Sequence, residues 1–251
     1  GFSETQRKVH WQQVMPNQYF RFKHFTVNQD RCAMKVGTDG VLLGSWVDVE
    51  KARRVLDIGT GTGLLALMVA QRNEHAFVHA LEIDSDAATQ ADENARESVW
   101  GDRITVVQGD FLAQSFDGEY DLVLCNPPYF TQSLKSPDEK RTAARHSDSL
   151  PLDRLTKGVS GLLTDDGIFA VVLPLQEGEA LVNECRECGL GVKRKAYVYA
   201  KTDSQTPKRV LLEFSKKSAE TVEERIVIER SERHDYTDQY KALTKDFYLK
   251  F

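Results

Sequence analysis

The chain has 251 residues, with 33 Lys and Arg against 38 Asp and Glu and a net charge of −5. It is long enough for one moderately large domain that buries roughly three quarters of its unfolded surface without disulfide or metal staples. The acidic balance excludes a protein that coats nucleic acid through bulk charge, and no stretch has the form of a membrane span or a signal peptide. Cys32, Cys125, Cys185 and Cys188 follow no disulfide spacing, and the Cys185–Cys188 pair has no second pair of ligands beside it. Zinc and redox use are therefore not expected, and a cytoplasmic protein with reduced thiols is.

The chain begins Gly1-Phe2-Ser3 without an initiator Met, and residues 1–19 are set apart as a tail. A single domain is expected over 20–251. Phe20, Phe22 and His24 alternate with polar neighbours before Asn28-Gln29-Asp30, which predicts a short N-terminal hairpin. Gly37-Thr38-Asp39-Gly40 then opens a helix running through Trp46. Thr38 or Asp39 is either its N-cap or part of a turn against a cofactor, with Asp39 meeting an ammonium group. From 53 to 175 strands near 54–58, 77–82, 104–108, 120–125 and 167–173 alternate with helices, which predicts a doubly wound, mostly parallel sheet. The intervening helices are expected at 64–72, at 85–98 with Ser85 or Asp86 as cap, and at 152–163, the last stopping at Asp165-Asp166-Gly167. After a helix at 177–188, strands at 192–200 and 208–215 form an antiparallel edge pair. One more strand follows at 225–230, then an aromatic helical tail at 236–251.

The strand ends carry the chemistry. Val55-Leu56-Asp57-Ile58 runs into Gly59-Thr60-Gly61-Thr62-Gly63, a turn that lets backbone approach a ligand closely. The dinucleotide fingerprint needs a glycine where Leu64 stands. Asp57 with Gly59, Gly61 and Gly63 resembles instead the S-adenosylmethionine site, which has no pyrophosphate to cradle. Glu82 ends the next strand, where a carboxylate can accept from both ribose hydroxyls, and Asp84 follows. Asp110 and Phe111 come after the third strand, suited to an adenine amino group and an adenine ring.

Tyr120-Asp121-Leu122-Val123-Leu124-Cys125 leads into Asn126-Pro127-Pro128-Tyr129. This tetrapeptide looks like the catalytic turn of methyltransferases acting on a planar, weakly nucleophilic nitrogen. Such a nitrogen has its lone pair delocalised, so acceptors must take its N–H hydrogens while it turns toward the electrophile. The Asn126 side-chain oxygen and the Pro127 carbonyl can both accept, Pro128 stiffens the turn, and Tyr129 offers a face for a flipped base. Asn126 also borders the expected cofactor site. Residues 131–150 then break the strand–helix rhythm with polar, basic sequence. Basic residues there and nearby, Lys23, Arg141, Arg145, Lys193, Lys208 and Arg209, are the candidate contacts to nucleic acid. No His or acidic cluster has metal-ligand spacing.

Phe25-Thr26-Val27, the block from Asp30 to Gly44, the tetrapeptide, and the ending Tyr236-Thr237 through Asp246-Phe247-Tyr248-Leu249 are together similar to the bacterial tRNA-valine adenine-N6 methyltransferases. The likeness runs from about residue 20 to 251. It implies a Rossmann-like, seven-stranded class I methyltransferase fold. It also implies S-adenosylmethionine as cofactor, with S-adenosylhomocysteine as product. The acceptor it implies is the adenosine 3′ of the anticodon in a valine tRNA, with no obligatory protein partner. The residues alone support a narrower statement, an sp² amine methyltransferase. Guanine-N2 of ribosomal RNA, a release-factor glutamine and adenine-N6 of DNA remain alternatives, as does a non-catalytic RNA-binding module. Only about fifty residues precede Val55, short for the release-factor enzymes, and the insertion after Tyr129 is small for a DNA target-recognition region.

Overall fold

The computed structural model describes residues 18–127, 150–217 and 220–251. Two short strands, β1 (Tyr19–Arg21) and β2 (Thr26–Asn28), form the N-terminal antiparallel hairpin. The main sheet holds β3 (Arg54–Ile58), β4 (Phe77–Glu82), β5 (Ile104–Gln108), β6 (Tyr120–Cys125), β7 (Leu163–Leu173), β8 (Gly191–Lys201), β9 (Arg209–Ser215) and β10 (Val222–Glu229), in the order β10-β8-β9-β7-β6-β3-β4-β5. Only β9 runs against its neighbours, β7 and β8. The expected seven strands are thus present, and β10 extends the sheet by pairing parallel to β8. The order reverses beside β3, so the carboxyl ends of β3 and β6 flank the crevice where a doubly wound sheet binds ligands.

The helices are α1 (Thr38–Trp46), α2 (Leu64–Arg72), α3 (Ser85–Glu97), α4 (Leu152–Leu162), α5 (Leu175–Glu187) and α6 (Asp238–Thr244). Strand alternation sends Val55, Leu122 and Leu124 to one face and Leu56, Val123 and Cys125 to the other. The first face packs on α1, α2, the hairpin and the tail, and the second on α4 and α5. Both faces of the central strands are covered, which is why they read as unbroken apolar runs.

Three expectations need correction. Residue 163 is not the end of a helix: α4 stops at Leu162 and Leu163 is already paired with Tyr120 in β7. The register then shifts before Leu122 meets Ile168, and Gly167 sits so close to the Tyr120 carbonyl that a Cβ there would lie 2.9 Å from it. The polar Thr164-Asp165-Asp166 is an irregularity within a strand. The cap of α3 is Asp84, whose Oδ1 accepts from the Ala87 N–H at 2.8 Å, in place of Ser85 or Asp86. The tail is helical only over α6, capped by Thr237. Beyond it Tyr248 and Phe251 are held by ring contacts with Tyr240 and Phe22.

Candidate active site

The glycine turn bends because Gly59, Gly61 and Gly63 all have positive φ (67°, 57° and 83°), a region that side chains strain to enter. At Gly59 and Gly61 a Cβ would meet nothing within 4 Å, so these backbones front open space, whereas Gly63 turns against Ala91 of α3. That space is a cavity of about 570 Å³. Gly59, Gly61, Glu82, Asp84, Asp110 and Phe111 all line it, and so does Pro127 at the end of β6. Residues from four strand ends, scattered over nearly seventy positions, therefore share one chamber.

Glu82 is buried at 8% exposure. Its Oε2 accepts from the Gly61 N–H at 2.8 Å and its Oε1 from the Asp84 N–H at 3.1 Å. Each oxygen keeps a second lone pair, so the carboxylate is oriented by backbone and still has capacity for a vicinal diol. Ile83, 49% exposed, and Met34, 43% exposed, are apolar walls of the same cavity. Asp110 caps its own turn, Oδ1 accepting from Leu112 N–H at 2.9 Å, while the Phe111 ring is held against Gly158 and Phe116.

Asp57 lies beneath the glycines, fully buried. Thr60 Oγ1 donates to its Oδ2 at 2.6 Å, and Oδ1 has no partner. Burial pushes its carboxyl up to about 7, the Thr60 bond opposing and the Glu82 charge adding. A folded-state pKa above the unfolded value makes the neutral form the stabilising one. Its contribution is complete below the ordinary carboxylate range and lost as pH rises through about 7. Asp57→Asn is accordingly expected to gain stability over the parent between pH 5 and pH 8 in urea unfolding. Parallel stability curves for the two proteins over that interval would mean that Asp57 is ionised throughout.

Asn126 follows β6 directly, and its Oδ1 is buried without a hydrogen-bond partner. An orphaned acceptor costs about 1–3 kcal/mol; Asn126 stands between Cys125 and Pro127 of the cavity wall but is not itself a lining residue. Gly40 of α1 lets this side chain in: a Cβ there would lie 3.5 Å from Asn126 Nδ2 and 3.0 Å from Leu64. The two thiols of the cavity are no rivals as nucleophiles. Burial, with the Glu82 charge adding, pushes Cys32 up to about 11, and Cys125 is pushed up further. Among the described residues no group of His, Cys, Asp and Glu is placed to hold a metal ion. No helix among them is long and apolar enough to cross a membrane.

The other candidates scatter more widely. Gly37 holds the N-cap position of α1 without a side-chain bond, so neither Thr38 nor Asp39 caps it. Asp39 Oδ2 instead accepts from Arg209 Nε at 2.9 Å, tying α1 to the start of β9. Lys193 and Lys208 are exposed. Lys23 donates to the carbonyls of Lys245 and Phe251, which holds the tail onto the hairpin. Pro128, Tyr129, Arg141 and Arg145 lie outside the described residues.

One wall of the cavity went unforeseen. Cys32, Ala33 and Met34 line it from the strap between β2 and α1. Polar residues of α3 lay that strap down: Asn94 Oδ1 accepts from Asn28 N–H, Gln90 Oε1 from Arg31 N–H, and Glu93 pairs with the Arg31 guanidinium. Gln90 and Asn94 are buried, and two buried amides on one helical face four residues apart were the available signal.

Comparison with known proteins agrees with this geometry. Residues 32–146 match the family described as methyltransferase small domain. The chain is 48% identical over 236 residues to the tRNA1(Val) (adenine(37)-N6)-methyltransferase of Bacteroides thetaiotaomicron, covering 94% of this chain and 99% of that one. It is 50% identical over 239 residues to the protein of the same name from Bacteroides fragilis, covering 94% and 100%. The Tolumonas auensis protein of that name is 44% identical, covering 92% and 97%. A predicted O-methyltransferase from Agrobacterium tumefaciens shares the fold, with a TM-score of 0.64 at 19% identity over 83% of this chain and 96% of that one.

Proposed function

The chain belongs to the tRNA1(Val) (adenine(37)-N6)-methyltransferase family, and on that premise we propose that its cavity brings S-adenosylmethionine to the exocyclic nitrogen of adenine 37. The observation that carries the site assignment is the orphaned Oδ1 of Asn126, a residue flanked in sequence by Cys125 and Pro127 of the cavity wall. When bound, the cofactor supplies an electrophilic methyl group. The residues fit it: Glu82 has the free acceptor capacity a ribose needs, Gly59 and Gly61 leave room against their backbones, and Ile83 and Phe111 give apolar walls for a purine.

Asn126 then accepts one N6 hydrogen and the Pro127 carbonyl the other, which turns the lone pair out of the base plane. Tyr129 gives the flipped base its stacking face. Burial pushes the Asp57 carboxyl up to about 7, so it carries less charge beneath the glycine turn than an ordinary carboxylate. Orientation of nitrogen against methyl supplies much of the acceleration. No strong base is needed, because the nitrogen becomes acidic once alkylated.

The test is methylation of total tRNA with labelled cofactor followed by nucleoside analysis. N6-methyladenosine carrying the label is expected. Label in N2-methylguanosine, or in protein alone, would reject the reading.

The basic candidates bear on the same reading. We expect Arg141, Arg145, Lys193 and Lys208 to contact phosphates, while Arg209, next to Lys208 at the start of β9, is paired with Asp39. Each lost contact then flattens the dependence of log affinity on log salt by about 0.7–0.9. Filter binding of the Arg141→Glu, Arg145→Glu variant at several salt concentrations reads this. A slope identical to the parent's would remove those two residues from the RNA path.

A further inference from the structure

The outer edge of the sheet has a face that nothing in the catalytic account uses. Alternation along β8 and β10 sends Ala196, Val198, Ile226 and Ile228 into the core with α1 and the tail. Tyr197, Tyr199, Arg225 and Val227 point to the opposite side. Over β7 and β9 that side is covered by α5, which also reaches β8. Tyr197 packs against the helix-covered core, but Tyr199, Arg225 and Val227 belong to neither core. What remains is an uncovered sheet face that carries Tyr199 and is bordered by Tyr197, each ring under a cation. The Arg225 guanidinium carbon lies 4.0 Å from the Tyr199 ring centroid, and Lys195 Nζ lies 4.9 Å from that of Tyr197.

The charge of this face differs from that of the whole chain. Lys195, Lys201 and Arg225 sit on it in a protein of net charge −5, with Lys201 Nζ donating to the Ser231 carbonyl at 2.9 Å. β10 places two carboxylates on the same side, so these three cations stand against two anions. Glu223 pairs with Lys195 at 2.7 Å, and Glu229 Oε1 accepts from the His234 N–H at 2.9 Å. Arg225 lies over the Tyr199 ring and is exposed to solvent. Stacked Tyr and Arg planes beside lysines are what unpaired nucleotides and phosphates are bound by.

Position completes the argument. Lys201 ends β8 at the same edge of the sheet where Asn126 follows β6, because β8 and β6 both run antiparallel to β9 or parallel to its partner β7. Three strand spacings separate β6 from β8 and four separate it from β10, roughly 14–19 Å at about 4.8 Å per strand. An RNA strand delivering one nucleotide to Asn126 can therefore lie on this face with its neighbouring nucleotides.

We propose that the uncovered β8–β10 face, centred on Tyr199 and Arg225 with Lys201, is a docking surface for the tRNA substrate outside the catalytic cavity. The proposal rests on the tRNA reading above. It makes this face a contributor to substrate binding and a spectator in the chemistry.

The experiment compares Tyr199→Ala, Tyr199→Phe and Arg225→Ala with the parent in steady-state methylation of the valine tRNA. The alanine variants are expected to raise KM for tRNA about tenfold, with kcat and cofactor affinity unchanged, and Tyr199→Phe is expected to stay near the parent because stacking needs only the ring. Arg225→Ala should also flatten the salt slope. A second measurement needs no variant: acetylation of lysines in the parent protein with and without tRNA. Bound tRNA is expected to protect Lys201, leaving exposed Lys51, which precedes β3 at the other end of the sheet, as reactive as before.

Unchanged KM in both alanine variants, or Lys201 acetylated equally with and without tRNA, overturns the proposal. A fall in kcat at unchanged KM overturns it too. If the parent itself transfers no methyl to tRNA, the functional reading fails first, and that outcome is visible before any variant is made.

Discussion

Asn126→Ala should lose methyl transfer by roughly 10²–10³ in kcat, the usual effect of removing one preorganised polar partner of a reacting group. Cofactor binding should stay close to the parent's, since the ribose and adenine contacts assigned above lie on β3, β4 and β5. Stability supplies an independent reading. Asn126 Oδ1 is buried without a partner in the free protein, so deleting it removes a desolvated orphan and should leave the melting temperature unchanged or raised. A variant that is both inactive and strongly destabilised would mean that the turn is structural. One within a few-fold of parental activity would place the amine elsewhere.

Glu82→Ala is expected to act on the other substrate. Two hydroxyl donors would lose a charged acceptor worth about 1.5–3 kcal/mol per bond, which corresponds to a loss of roughly 10²–10⁴ in cofactor affinity. Part of the effect comes through the backbone, because Glu82 also holds the Gly61 and Asp84 N–H groups in place. Glu82→Gln keeps an acceptor of similar shape and should fall between alanine and the parent. Calorimetric titration with S-adenosylmethionine measures all three. Equal dissociation constants would contradict the assignment of this carboxylate to the ribose.

The convergence of Gly59, Gly61, Glu82, Asp84, Asp110 and Phe111 on one cavity was readable from the sequence because of one physical constraint, while Thr38, Asp39, Asp57, Gly63 and Asn126 do not line it. Parallel strands buried on both faces appear as apolar runs, and a parallel sheet brings all their carboxyl ends to one edge. Once the runs ending at Ile58, Glu82, Gln108 and Cys125 are located, the residues just beyond them must be neighbours. What escaped depended on contacts distant in sequence. Thr164-Asp165-Asp166-Gly167 has the composition of a helix stop, yet Leu163 is drawn into the sheet by Tyr120 more than forty positions earlier. Met34 and Cys32 reach the cavity only because Gln90, Glu93 and Asn94 hold the strap from α3. The Asp39–Arg209 pair joins the first helix to a late strand, and no local pattern announces it. Asp84, read from the sequence as a ligand residue, lines the cavity and is the α3 cap.

The central claim is that this cavity methylates N6 of one adenine, the one at position 37. The most direct test offers the protein two transcripts of tRNA1(Val) with labelled S-adenosylmethionine, one with adenine at position 37 and one with guanine there and no other change. The account predicts label recovered as N6-methyladenosine from the first transcript and none from the second. Equal incorporation into both, or incorporation into neither, would contradict it.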